Sequence, residues 1–200
     1  MLKDRFFYPL AALIAVAMVA YALSLGERIE LTDCEIWESG YTMEGEDLVR
    51  LTAQPGTQAV FVAAAGGQPA YARLTSTAAR DSLPPGPGVF APLGPQYERA
   101  FATQNLRMSV TARTSRLNGL ERFDIGYFSA GSGDSGWKRQ ILSPDWTPYF
   151  IEFRPGALTE RQGLDHASIW PGETAELLNV DIQRITVEVL DPPEGCQQSL

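Results

Sequence analysis

The chain has 200 residues, of which 44% are hydrophobic and 20% charged, and its net charge is −8. Those figures suit one globular domain of ordinary size plus extras. An acidic chain without a cluster of Lys and Arg argues against nucleic acid as a partner, because phosphate recognition rests on grouped positive charge.

At the N-terminus, Lys3 and Arg5 precede residues 6–25, which carry no charge. Twenty helical residues span roughly 30 Å, the thickness of a bilayer's hydrocarbon core. Basic residues stay in the cytoplasm. The expected layout is a cytoplasmic stub at 1–5, a transmembrane signal anchor at 6–25, a linker at 26–32, a folded domain at 33–191 and a tail at 192–200. A cleaved signal peptide is the competing reading, since Ala20-Tyr21-Ala22 has the small-x-small pattern of a cleavage site. The apolar run continues to Leu25, which favours the anchor. Leu31-Thr32-Asp33 lacks the small residues that a lipoprotein signal needs before Cys34. Both readings export the domain, and the expected location is the inner membrane with a periplasmic C-terminal domain.

Residues 34–37 are expected to open the first strand, 40–47 to turn, and 48–53 to form the second strand, ended by Pro55-Gly56. The run Ala-Val-Phe-Val-Ala-Ala at 59–64 has no alternation, as in a strand covered on both faces. Gly66-Gly67-Gln68-Pro69 turns the chain into a strand at 71–76. Residues 79–95 hold Pro84, Pro85, Pro87, Pro92 and Pro95, too many lost donors for a helix or central strand. Val89 and Phe90 are expected to anchor that loop, and 97–102 to form one helical turn.

From 106 to 153 the pattern is that of a four-strand antiparallel meander. Leu106, Met108, Val110 and Ala112 alternate with polar residues, the two-residue period of a half-buried strand. Phe123, Ile125 and Tyr127 repeat it. Gly131-Ser132-Gly133-Asp134-Ser135-Gly136 is a hairpin loop. Trp137 and Ile141 belong to the next strand, Ser143-Pro144-Asp145 turns it, and Trp146, Tyr149, Ile151 and Phe153 return. A loop at 155–163, a short or edge strand at 166–170, a polar stretch at 173–178 and a last strand through Ile185, Val187 and Val189 complete the order. About nine short strands and frequent turn signals describe a mostly β protein, an antiparallel β-sandwich behind one N-terminal helix.

Ser135-Gly136-Trp137, then Asp145-Trp146 and Tyr149, then a Val-rich final strand, resemble the galactose-binding-like jelly roll shared by carbohydrate-binding modules. The resemblance covers roughly residues 33–190 and rests on strand order and aromatic placement. It implies terminal strands side by side, which would let Cys34 and Cys196 meet in a disulfide once exported. Many such jelly rolls hold a structural calcium. Glu35, Glu38 and Asp181 are conceivable oxygen donors, but no calcium-loop spacing is present and no metal or cofactor is assigned.

Catalytic readings are weaker. Gly133-Asp134-Ser135-Gly136 resembles the nucleophile motif of trypsin-like serine proteases, but Trp137-Lys138 replaces the family's Gly-Pro, and the single histidine, His166, lies downstream. One histidine and two distant cysteines do not make a zinc site. Asp124, Asp134, Asp145, Glu152 and Asp165 show no spacing that selects a glycosidase pair. Trp37, Trp137, Trp146 and Trp170 offer faces on which a sugar ring stacks. Trp137 and Trp146 are expected in the core or at its edge rather than on a ligand. Trp170, ending a strand before Pro171-Gly172, is the first choice for an exposed ligand-binding aromatic, followed by Tyr97 and Tyr71. The expected function is non-catalytic binding of an envelope glycan or a membrane-protein partner. A membrane-bound glycan hydrolase and an accessory subunit of a larger membrane assembly are the alternatives.

Overall fold

The computed structural model describes residues 4–24, 31–82, 87–159, 163–172, 177–193 and 196. The chain divides into two compact units, Met1–Glu30 and Leu31–Leu200. The first unit contains α1 (Asp4–Ser24), a helix of 21 residues rich in Ala and Leu with Pro9 inside it. Its side chains are described over residues 8–21, all exposed. Over the described residues no helix is long and apolar enough to cross a membrane.

The second unit opens with α2 (Asp33–Ser39) where a strand was expected at 34–37. The cause is a reciprocal cap. The Glu35 N–H donates to Thr32 Oγ1 at 3.3 Å, and the Thr32 N–H donates to Glu35 Oε2 at 2.7 Å. The Thr-x-x-Glu spacing at Thr32 and Glu35 thus starts a helix where a strand was expected. Next come β1 (Tyr41–Glu44), a 3₁₀ turn over Gly45–Arg50, β2 (Thr52–Ala53), β3 (Thr57–Val62), β4 (Tyr71–Ser76), a 3₁₀ turn over Arg80–Ser82, and β5 (Val89–Leu93). Then follow α3 (Pro95–Phe101), β6 (Leu106–Thr114), β7 (Arg122–Phe128), β8 (Lys138–Ile141), β9 (Thr147–Phe153), β10 (Asp165–Trp170) and β11 (Asn179–Val189).

The strands form two antiparallel sheets. Sheet A has the order β3-β4-β11-β6-β9, with β1 also paired to β11, and sheet B has the order β2-β5-β10-β7-β8. The meander is therefore corrected. β6 pairs with β9 in sheet A, while β7 pairs with β8 in sheet B. The links after β6 and after β8 cross between sheets, so β6 meets β9 and β11 rather than β7, and still turns its apolar row inward. Of the two alternatives for 166–170, the short strand holds, since β10 has six residues and lies between β5 and β7 rather than at an edge. The turn expected at 40–47 holds β1, and the strand expected at 48–53 is a 3₁₀ turn followed by two strand residues. β3 was expected to be covered on both faces, but it is an outer strand of sheet A with Val60 58% exposed. The polar stretch at 173–178 falls partly on residues 173–176, outside the described residues.

One core fills the space between the sheets. Leu106, Met108, Val110 and Ala112 of β6 face Phe123, Ile125 and Tyr127 of β7 and Ala167 and Ile169 of β10. Burying a Leu, Ile or Phe there contributes about 1.5–3 kcal/mol each. β11 is the long central strand of sheet A and carries a bulge between Ile182 and Arg184. The bulge shifts the inward phase from Val180 and Ile182 to Ile185, Val187 and Val189, all buried. It leaves Asp181 on the outward phase. α2 and α3 close one end, where the Trp37 indole N–H donates to the Ala100 carbonyl and Arg99 Nε lies 3.1 Å from Asp33 Oδ1. Cys34 and Cys196 are joined there, with Cα atoms 5.2 Å apart.

Candidate functional site

The three aromatics named from the sequence as ligand contacts separate in space. Tyr97 packs edge-on against Tyr41 at 5.3 Å and beside Phe101 at 5.6 Å, in the closed α3 end of the sandwich. Tyr71 lies on the outer face of sheet A, and Trp170 on the outer face of sheet B. The expectation that Trp170 is exposed is corrected, since it is only 3% exposed. The reason is the chain before β5. Gly88 bridges Ile169 and runs against the indole, so that a Cβ at Gly88 would sit 2.7 Å from Trp170 Cε3. Gly88 has φ +67°, which a glycine accepts without strain.

The outer face of sheet B is unusual for a sheet surface facing water. Alternation turns Phe123, Ile125 and Tyr127 inward, which leaves Asp124, Gly126 and Phe128 outward on β7. Register places Trp170, Ser168 and His166 of β10 opposite those three residues. Phe90 of β5 lies edge-on to His166 at 4.4 Å. Trp137, from the hairpin before β8, meets Phe128 at 4.8 Å and Trp170 at 6.2 Å. The result is a row of rings on positions that a solvated antiparallel sheet normally fills with polar groups. Burial lowers the pKa of His166, and the Asp134 charge opposes that shift, so the ring favours its neutral form.

Charge is set beside the rings. Asp124 is 3% exposed and accepts from Arg80 Nη1 at 2.6 Å and from Arg139 Nε at 3.2 Å. The Arg80 guanidinium also lies 5.7 Å from the centre of the Trp137 ring. Paired guanidinium and carboxylate groups next to half-buried rings supply both donors and acceptors to a hydroxyl-rich ligand. Sequence reasoning named Trp137 but placed it in the core or at its edge, and it missed Arg80, Asp124 and Arg139 as a group. Their partnership depends on the β7–β8 register and on where the chain lies around 80, neither of which any spacing reveals.

A second polar cluster is sealed from solvent. The Tyr127 hydroxyl donates to Asp165 Oδ2, Ser129 Oγ lies 3.4 Å from Glu98 Oε1, and the Gly163 N–H donates to Glu98 Oε2 at 2.9 Å. Glu98 and Asp165 are 1% and 0% exposed, so neither reaches a substrate. Burial pushes the Asp165 carboxyl up to about 6. The Glu98 and Asp134 charges add to the rise, and hydroxyls of Ser129 and Tyr127 oppose it.

The folded state therefore holds a proton on Asp165 between pH 3.8 and about 6, where the unfolded chain releases it. Its contribution to stability is complete below the lower value and is lost as pH rises through the upper one, by up to about 3 kcal/mol. His166 acts in the opposite direction, because its lowered pKa costs stability as pH falls below 6.5. Asp165→Asn keeps an acceptor for Tyr127 and removes only the first slope. Urea unfolding at pH 4 and pH 7 should show the variant gaining on the wild type by up to about 3 kcal/mol at the higher pH. A difference that does not change with pH would refute this assignment.

On the outer face of sheet A, Asp181 is 0% exposed between two arginines from neighbouring strands. Arg73 Nε and Nη2 reach its two oxygens at 2.8 and 3.2 Å, and Arg113 Nε lies 3.5 Å from Oδ2. The Asp181 hydrogen bond raises the pKa of Arg73 further. Trp146 folds over this pair, 4.2 Å from the Arg113 guanidinium and 6.0 Å from Tyr71. Asp181 is committed to arginine here, which takes it out of the conceivable calcium donors. Glu35 instead caps α2. Among the described residues no group of three or more potential metal ligands occurs.

Comparison with protein families finds no match. Comparison with curated proteins finds none either. Solved structures do match. The C-terminal family 22 carbohydrate-binding module of Clostridium thermocellum Xyn10B is 15% identical, with a TM-score of 0.50 over 76% of this chain and 94% of that one. A xylan-binding domain of family 22 is 12% identical, with a TM-score of 0.52 over 76% of this chain and 96% of that one. At such identities the likeness is one of fold: the second unit is an antiparallel β-sandwich similar to family 22 carbohydrate-binding modules.

Proposed function

We infer that this protein is a membrane-anchored, non-catalytic glycan-binding protein of the cell envelope, with the outer face of sheet B as its binding face. The observation that carries the reading is the row Phe128, Trp137 and Trp170 on outward positions beside the Arg80–Asp124–Arg139 group. An aromatic ring stacks on the apolar face of a pyranose, and charged groups fix its hydroxyls. Trp170 is covered by its own chain, so Trp137 is the ring that meets the ligand and Trp170 supports it. The sandwich's likeness to xylan-binding domains agrees with a saccharide ligand. The uncharged run at 6–25 behind Lys3 and Arg5 supports an anchor with the sandwich on the periplasmic side. The burial of Glu98 and Asp165 supports binding without turnover.

The test is a glycan array that includes xylo-oligosaccharides, probed with the full chain in detergent. Trp137→Ala should weaken the best hit at least about tenfold while the protein stays folded, as removal of an interface aromatic does. Unchanged binding in the variant would remove this face. Hydrolysis of the hit, abolished by one Asp or Glu substitution, would overturn the non-catalytic reading. A mature N-terminus at Leu23 would remove the anchor.

A further inference from the structure

The pocket on the outer face of sheet A has a chemistry of its own. It holds about 260 Å³ and is lined by Gln68, Tyr71, Arg73, Arg113, Arg116 and Asp181, among others. Three arginines face one carboxylate, which leaves two positive charges in a chain whose net charge is −8. Arg73 uses two nitrogens on Asp181. Arg113 does not match it. It is 8% exposed, and its Nε has no hydrogen-bond partner among the described residues although Asp181 Oδ2 is 3.5 Å away. Arg116 is exposed and makes no ion pair among the described residues. A buried guanidinium donor without an acceptor costs free energy, so a site that retains one is built to receive an acceptor.

We propose that this pocket is an anion site that takes the carboxylate of an acidic saccharide. A carboxylate is planar and accepts two parallel N–H bonds from a guanidinium, and both Arg113 and Arg116 line the pocket. Trp146 packs on that guanidinium at 4.2 Å and holds it in place. Arg116 closes on the anion from the solvent side. Tyr71, with Val62 and Ala63 beside it, offers a partly apolar wall for the carbon skeleton of the sugar. The volume lies just under the roughly 300 Å³ at which drug-sized pockets begin, so it suits one sugar ring. Sheet B plays no part in this site, and the proposal stands apart from the aromatic face there.

The experiment titrates the full chain in detergent with glucuronate, glucose and inorganic phosphate, followed by amide and arginine side-chain NMR shifts. Glucuronate should move the Tyr71 and Arg113 signals and bind at least about tenfold more tightly than glucose. Phosphate should bind more weakly than glucuronate. Arg116→Ala, an exposed change that leaves the sheet intact, should weaken glucuronate about tenfold or more. Raising the salt from about 0.05 to about 0.5 M should weaken it too, to a similar extent. Equal affinity for glucose would overturn the anionic part of the proposal, and equal affinity for phosphate would overturn the saccharide part. Shifts confined to the Phe128 and Trp137 region, or an Arg116→Ala variant that binds as the wild type does, would overturn the pocket itself.

Discussion

Replacing Cys34 and Cys196 together with serine should lower the stability of the sandwich by about 5 kcal/mol. The bridge closes a loop with a sequence separation of 162. In the chain-entropy account, a crosslink that long removes about 5 kcal/mol of freedom from the unfolded chain. A domain is stable by only about 5–15 kcal/mol, so the change threatens folding at ordinary temperature. Local contacts soften the blow. Ile36 is fully buried and the Trp37 indole N–H donates to Ala100, so α2 keeps its seat without the bridge. The effect should therefore come from the unfolded state, and urea unfolding should show a steeper slope in the variant, whose unfolded chain exposes more surface. A loss below about 1 kcal/mol with an unchanged slope would defeat this account. So would a native protein whose mass corresponds to two free thiols.

The same bridge shows what the sequence made legible. The pairing of Cys34 with Cys196 followed from a fold resemblance, since the chain has no other cysteine and jelly rolls bring their ends together. Strands with a full two-residue alternation were also readable. β4 has the bounds expected, and β6 buries Leu106, Met108, Val110 and Ala112 completely. Burial against one core leaves a periodic trace in the residues themselves.

Pairing leaves no such trace. β6 and β7 each have one apolar face, and that pattern is the same whether they are neighbours in one sheet or opposite each other across the core. The meander was a default to the shortest connection, and the sandwich departs from it twice. The region at 34–53 failed for a different reason. Its elements are at most seven residues long, too short for periodicity to speak, and they are set by a cap at Thr32 and by β1 pairing with Arg184–Val187 some 140 positions away. The outer faces were illegible in the same way. Asp124 gives no sign of its pairing until Arg80 and Arg139 are seen around it, and Asp181 stays a conceivable calcium donor until Arg73 and Arg113 are. A bulge of one residue in β11 decides that Asp181 faces outward, and no residue type announces it.

Trp170→Ala should cost about 3–5 kcal/mol, the range for emptying a large aromatic site. The ring is 3% exposed, has Trp137 at 6.2 Å on one side, and has the Gly88 backbone against another edge. Gly88 at φ +67° cannot follow the shrinking side chain without giving up its bridge to Ile169, so the cavity should persist rather than collapse. The indole nitrogen supplies a second reading. Trp170 Nε1 is buried and has no hydrogen-bond partner among the described residues, a state that costs about 1–3 kcal/mol. Trp170→Phe removes that donor and keeps most of the ring, so its net loss should stay within about 1.5 kcal/mol. Thermal and urea unfolding of the two variants should therefore separate widely, with Ala far below Phe. The glycan face should lose affinity in the Ala variant only as far as Trp137 loses its support. Should Trp170→Ala unfold within about 0.5 kcal/mol of the wild type while glycan binding disappears, the indole would be the exposed ligand contact and Gly88 no barrier over it.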